Sequence, residues 1–147
     1  TEKTIEVIPA QTIPQGVAAL LTFDYEADLE TNAKLMREAT STVRTIEITQ
    51  AVRSTQLDGL SIKKNQDIGL LDGELLATGS NTIDILNKIM AKLNIMKTEI
   101  ITIYYGAETK LAEAEQVSTS IHEKHPQLQV EVVQGGQPYY SYIISIE

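Results

Sequence analysis

The sequence predicts an α/β fold, a mixed β-sheet flanked by helices with a small antiparallel hairpin region in its middle third. Three observations predict it. Thr45–Val52, Glu99–Tyr105, Leu128–Val133 and Tyr139–Ile146 are short runs rich in β-branched and aromatic residues, the composition of strands. Apolar residues recur at helical spacing between them, as in Leu29, Ala33, Met36 and Ala39, and again in Ile83, Leu86, Met90 and Leu93. Two Asp-Gly dipeptides, Asp58-Gly59 and Asp72-Gly73, sit between apolar runs, where a two-residue hairpin turn needs positive φ at both central positions.

Taken in chain order, Thr4–Ile8 is a short extended run carrying Ile5 and Val7 and ending at Pro9. Pro9, Pro14 and Gly16 mark the loop that follows, and Pro14 also suits the first turn of a short apolar helix over Val17–Phe23. Asp28 is placed to cap a second helix, with Glu30 in its first turn, that ends near Thr40. Thr45–Val52 alternates as a half-buried strand with Ile46, Ile48 and Val52 on one face. Ile68–Leu76 folds as a hairpin about Asp72-Gly73. Ser80 or Asn81 caps the next helix. Glu99–Tyr105 is almost continuously apolar, as a central strand buried on both faces would be. Gly106 stops it, and Ala107–Lys124 follows as an amphipathic helix with Leu111, Ala114 and Ile121 inward, closed by Pro126. The helix–strand–helix–strand order defines a crossover unit, expected to be right-handed. Residues 1–147 read as one domain, with 1–23 as the end of a preceding lobe and 24–147 as the main lobe. An opening in mid-strand reads as a fragment.

Composition narrows the function. Of 147 residues, 42% are hydrophobic and 22% charged, enough apolar surface for a true core. The absence of cysteine removes disulfides and thiolate metal sites. Twenty acidic residues against twelve basic ones leave a net charge of -8, which repels phosphate backbones and anionic lipid and favours a basic protein surface. No stretch approaches the ~20 apolar residues of a membrane helix, and the first residues lack a signal peptide's pattern, so a cytoplasmic protein with no nucleic-acid or membrane partner is expected. No phosphate-binding glycine loop is present, and Gly135-Gly136 follows a strand without opening a helix. His122 and His125, the only histidines, fall short of the three or four ligands of a stable metal site. No catalytic, cofactor-binding or metal-binding residue is therefore expected. The candidate residues are for partner binding. Asp24, Glu26, Asp28 and Glu30 form a run of carboxylates with no cation within it, and Asp72 and Glu74 form a second patch on a hairpin tip.

Several segments carry a family likeness. Thr12-Ile13-Pro14-Gln15-Gly16 with Ala18-Ala19-Leu20, Ala51-Val52-Arg53, Asp58-Gly59, Ile68-Gly69-Leu70 with Asp72-Gly73, and Thr102–Gly106 resemble the ATP-using subunit of bacterial fatty acid kinases, a family related to dihydroxyacetone kinase. The ending, Gly135–Pro138 through Tyr142-Ile143-Ile144-Ser145, is the most specific of these. The matching part is the C-terminal, DegV-like region of that subunit. The resemblance implies that ATP and magnesium belong to a kinase domain outside this chain, and that this chain holds no cofactor. It implies as partners the kinase's own upstream domains and a DegV-like fatty-acid-binding protein, docked so that the kinase can form acyl-phosphate. Two alternatives stand beside docking: a module that binds an acyl chain or other small molecule itself, and a purely structural dimerisation domain.

Overall fold

Helix α1 (Ile13–Leu21) starts four residues before the expected Val17, because Thr12 supplies the cap that the loop reading overlooked. The Thr12 hydroxyl accepts the Gln15 backbone N–H at 3.4 Å, and Pro14 occupies the first turn. The computed structural model that reveals this describes residues 2–147. They fall into two units, the first ending at Arg44 and the second spanning Thr45–Glu147.

In the first unit, residues 4–8 have no strand partner, contrary to the strand reading. Helix α2 (Leu29–Thr42) is capped as expected, the Asp28 carboxylate accepting the Thr31 N–H at 2.7 Å. It runs two residues past Thr40. Ala33 is buried, whereas Leu29, on the same apolar stripe, is exposed at the helix's first position.

The second unit is built on a six-stranded sheet. Its strands are β1 (Arg44–Gln50), β4 (Asp67–Leu71), β5 (Glu74–Thr78), β6 (Ile100–Tyr105), β7 (Gln129–Gln134) and β8 (Tyr140–Ile146), in the spatial order β5-β4-β1-β8-β6-β7. A separate hairpin joins β2 (Thr55–Leu57) and β3 (Leu60–Ile62). Both Asp-Gly turns adopt the anticipated geometry, with φ of 50° and 78° at Asp58-Gly59 and 50° and 85° at Asp72-Gly73. Strands β6 and β7 are parallel and joined through α4 (Leu111–Lys124), while β6–β8, β1–β4 and β4–β5 are antiparallel. The mixed sheet with flanking helices is thus the predicted architecture.

Its core lies where α3 (Thr82–Met90) and α4 meet one sheet face. Ile46, Ile48, Ile101, Ile103, Ile144 and Ile146 project there from the strands, against Ile85, Leu86 and Ile89 of α3 and Ala114, Val117 and Ile121 of α4. Asn81 caps α3, accepting the Asp84 N–H at 2.9 Å. Gly69 sets the distance of α3 from β4. A Cβ there would lie 2.4 Å from Ile85 Cγ2 and 2.6 Å from Ile89 Cδ1, both on fully buried side chains.

Three expectations need correction. Val52 is exposed, since β1 ends at Gln50 and the chain bends away before it. Leu111 is exposed at the first position of α4, which starts four residues after Ala107, and Val117 takes the inward place. The strand buried on both faces is β8, with Ile143 and Ser145 buried opposite Tyr142 and Ile144. Strand β6 lies next to the edge strand, and its Ile100, Thr102 and Tyr104 are only half-buried.

Ile101 and Ile103 are fully buried, as expected. Replacing Ile101 with alanine leaves a cavity that neighbouring isoleucines cannot close without leaving their rotamers. The expected loss is about 2–5 kcal/mol, read as a lower denaturant midpoint at unchanged m-value.

Candidate functional site

The acidic run forms a turn clasped by one buried amide. Asn32, on the first turn of α2, accepts the Asp24 backbone N–H at 2.8 Å. It donates to the Asp24 carbonyl at 2.8 Å and the Ala27 carbonyl at 3.2 Å. Asp24 in turn accepts the Glu26 N–H at 2.9 Å. Asp28 holds its capping bond, which also keeps its carboxyl below the ordinary aspartate range. Asp24, Glu26, Asp28 and Glu30 are all exposed, so the four expected carboxylates share one ordered, solvent-facing segment. Asn32 was not singled out from sequence, although an asparagine one turn into a capped helix could have signalled it.

The hairpin patch behaves differently. The Asp72 carboxylate does not project clear of the sheet but turns back onto β1, accepting the Thr45 N–H at 2.8 Å, while the Asp72 N–H donates to the Thr45 carbonyl at 2.8 Å. Asp72 is therefore half-buried, and only Glu74 of the pair is exposed at the tip. Beside them lies Glu47 of β1, half-buried. Partial burial first, and then the charge of Asp72, push its carboxyl above the usual glutamate range.

A cleft of about 570 Å³ opens beyond the end of β1 and the start of β8, beside the segment that leads from β6 into α4. Its rim is a strained loop. Tyr140 N–H bonds to the Pro138 carbonyl at 2.8 Å across Tyr139, whose φ is 68°. That is a γ-turn of the rare positive-φ kind, uncommon for any bulky residue. The Thr49 hydroxyl donates to the Tyr139 carbonyl, and the Gln137 amide donates to the Tyr104 carbonyl at 2.9 Å. The turn thereby holds the Tyr139 side chain 90% exposed, and Val52, also on the cleft, is 85% exposed. Among the described residues, the sole charged side chain lining this cleft is Glu108.

A second hollow of about 560 Å³ shares Glu108, Thr109 and Ser141 and adds Glu113 and Tyr142. Burial, reinforced by Glu113, pushes the Tyr142 hydroxyl up to about 12, so it stays protonated. Tyr104 and Tyr105 are both half-buried, while Tyr139 is exposed and Tyr140 half-buried.

His122 is exposed and His125 half-buried, and among the described residues no three His, Cys, Asp or Glu side chains gather closely enough to hold a metal. No helix is long and apolar enough to cross a membrane among those residues.

This layered α/β architecture is shared with a solved structure. The Streptococcus pneumoniae fatty acid kinase (Fak) B3 protein, solved loaded with linoleic acid, superposes on 82% of this chain and 50% of its own at a TM-score of 0.56 and 11% identity, a likeness of fold alone. A fatty-acid-binding DegV family protein from Thermus thermophilus aligns over 89% of this chain and 55% of its own at a TM-score of 0.49 and 10% identity. The sequence is more specific. Residues 1–147 match the FakA-like C-terminal family of fatty acid kinase subunits, and the chain belongs to that family. Protein YloV of Bacillus subtilis (strain 168) is 37% identical over 146 residues, 99% of this chain and 26% of that protein. An uncharacterized protein of Staphylococcus aureus (strain USA300) is 34% identical over 141 residues, 96% of this chain and 26% of that protein. The chain thus spans about a quarter of the length of these curated relatives.

Glu47 yields a prediction whose sign is fixed. A carboxyl whose pKa is higher folded than unfolded is penalised for ionising. Its contribution to stability is full below the ordinary glutamate range and falls as pH rises through the raised value. Glu47→Gln should leave stability almost unchanged at about pH 3, raise it at about pH 7, and flatten the profile between them, as measured by denaturant midpoints. An unchanged slope would remove Glu47 from the account.

Proposed function

We propose that this domain is a non-catalytic part of a fatty acid kinase. In this reading it docks a DegV-like fatty-acid-binding protein, so that kinase domains elsewhere in the polypeptide, using ATP and magnesium, can form acyl-phosphate. The observation that supports it most directly is the ordered acidic segment from Asp24 to Glu30, four exposed carboxylates on a turn pinned by Asn32, in a chain of net charge -8. A surface of this kind attracts a basic partner, speeds encounter and sets orientation. Because the turn is already hydrogen-bonded, little ordering entropy remains to be lost on docking. In the second unit Glu74 offers a further exposed carboxylate, with Asp72 engaged in the fold.

Binding of an acyl chain by the domain itself is the second reading, favoured by its likeness to a structure solved with linoleic acid. The cleft argues against it. A fatty-acid carboxylate would meet Glu108 there, and Glu113 in the neighbouring hollow, with no lysine or arginine among the lining residues.

The test must spare the residues that build the turn. Asp28→Lys would lose a cap worth about 0.5–2 kcal/mol, so binding and stability would change together. The informative variant combines Asp24→Asn and Asp28→Asn, which keep acceptors for Glu26 and Thr31, with Glu26→Lys and Glu30→Lys. It is expected to stay folded, with a thermal midpoint lowered only by the ~0.3–1 kcal/mol that a lysine for Glu30 costs in the first turn of α2, and to bind the DegV-like protein at least about tenfold more weakly at low salt, at ~0.2–1 kcal/mol per exposed charge. The difference should shrink as added salt shortens the screening length toward ~8 Å and below. Equal affinity of variant and parent at low salt would exclude this surface, and salt-insensitive binding of the parent would exclude an electrostatic interface.

A further inference from the structure

Helix α1 is inside out. Its buried residues are Pro14, Gln15 and Ala19, while Ile13, Val17, Leu20 and Leu21 face solvent. Those four lie at i, i+4, i+7 and i+8, a single continuous face, and Leu20 and Leu21 are 69% and 82% exposed. The unit accordingly has little core, its buried apolar side chains besides Pro14 being Ala19, Ala33 and Val43. The run ahead of the helix repeats the pattern. Glu6 is paired with Arg37 of α2, while its neighbours Ile5 and Val7 are 78% and 74% exposed, and residues 4–8 have no sheet partner.

We infer that residues 4–8 and the outward face of α1 form one interface surface, completed by further polypeptide of the same protein that supplies a sheet edge for the run and an apolar layer for the helix. A strand-length alternating run followed by a helix with a wide aliphatic stripe is half of a layered α/β unit, and neither piece buries its apolar side chains without a second layer. The occupant follows from chemistry and length. A continuous aliphatic face resembles a domain core cut in two, the composition of a permanent interface and not of one that a shuttling partner leaves and rejoins. Pairing with a second copy would bring acidic chains of charge -8 together with Asp24–Glu30 close beside the contact. The curated relatives carry about three-quarters of their length outside the matched region, more than enough to supply the layer. This inference is independent of the docking reading, since it concerns aliphatic side chains and not the carboxylates, and holds with or without a carrier.

The chain has no cysteine, so Leu20→Cys introduces one thiol on the stripe, and Glu123→Cys, exposed and outside both acidic patches, serves as a solvent-facing reference. Each is placed in the longer natural polypeptide, and alkylation at that site is followed by peptide mass spectrometry, native and denatured. The expected result is Leu20→Cys slowed by on the order of tenfold or more in the native polypeptide with no partner added, while Glu123→Cys reacts at its denatured rate. Amide exchange on the unsubstituted polypeptide should show slow exchange across residues 4–8 and keeps the test independent of the substitution. Full reactivity of Leu20→Cys, with fast exchange at 4–8, would overturn the inference. Protection that appears only when the DegV-like protein is added, or that grows with protein concentration, would overturn it in favour of a separate partner or of self-association.

Discussion

The second unit depends on β8 lying between β1 and β6. The strands before it make two partial sheets, β5-β4-β1 by antiparallel pairing and β6-β7 by a parallel crossover. Neither has a hydrogen-bonded route to the other except through Tyr140–Ile146. Its residues Tyr142, Ile144 and Ile146 join the helix-covered core while Ile143 and Ser145 are buried on the other face. Much of the sheet's stability therefore rests on pairings between residues distant in sequence, whose loops must be closed before any contact compensates the entropy lost.

That dependence explains what was legible in the sequence and what was not. Local chemistry read well. The Asp-Gly turns, the Asp28 and Asn81 caps and the burial of Ile101 and Ile103 each follow from a few adjacent residues, and the structure agrees. Misreadings arose where topology decides. Glu99–Tyr105 is the more uniformly apolar run, so it read as the strand buried on both faces; it is an interior strand, yet burial of both faces falls to β8. Asp72 read as a projecting tip because nothing local reveals that β1 lies alongside, with the Thr45 N–H waiting for its carboxylate. Val17–Phe23 read as an apolar helix without sign that its large side chains would face outward, because periodicity identifies a stripe but not which side has a neighbour.

The candidate surfaces divide along the same line. The acidic turn was visible as a run of like charges. Its rigidity was not, since that comes from Asn32 reaching back eight residues to Asp24. The cleft residues Thr49, Glu108 and Tyr139 come from three separated segments and acquire a common role only through the sheet order. The cleft's one charged lining residue among those described is itself an acid, Glu108.

The γ-turn at Tyr139 carries a further consequence, for evolution and engineering. A non-glycine residue held at φ 68° costs about 1–3 kcal/mol, and glycine would relieve much of it. Selection for thermal resistance alone would favour glycine at this position, and a library screened by heat would be expected to drift that way. The same exchange would erase an aromatic ring standing almost wholly in solvent at the mouth of the cleft.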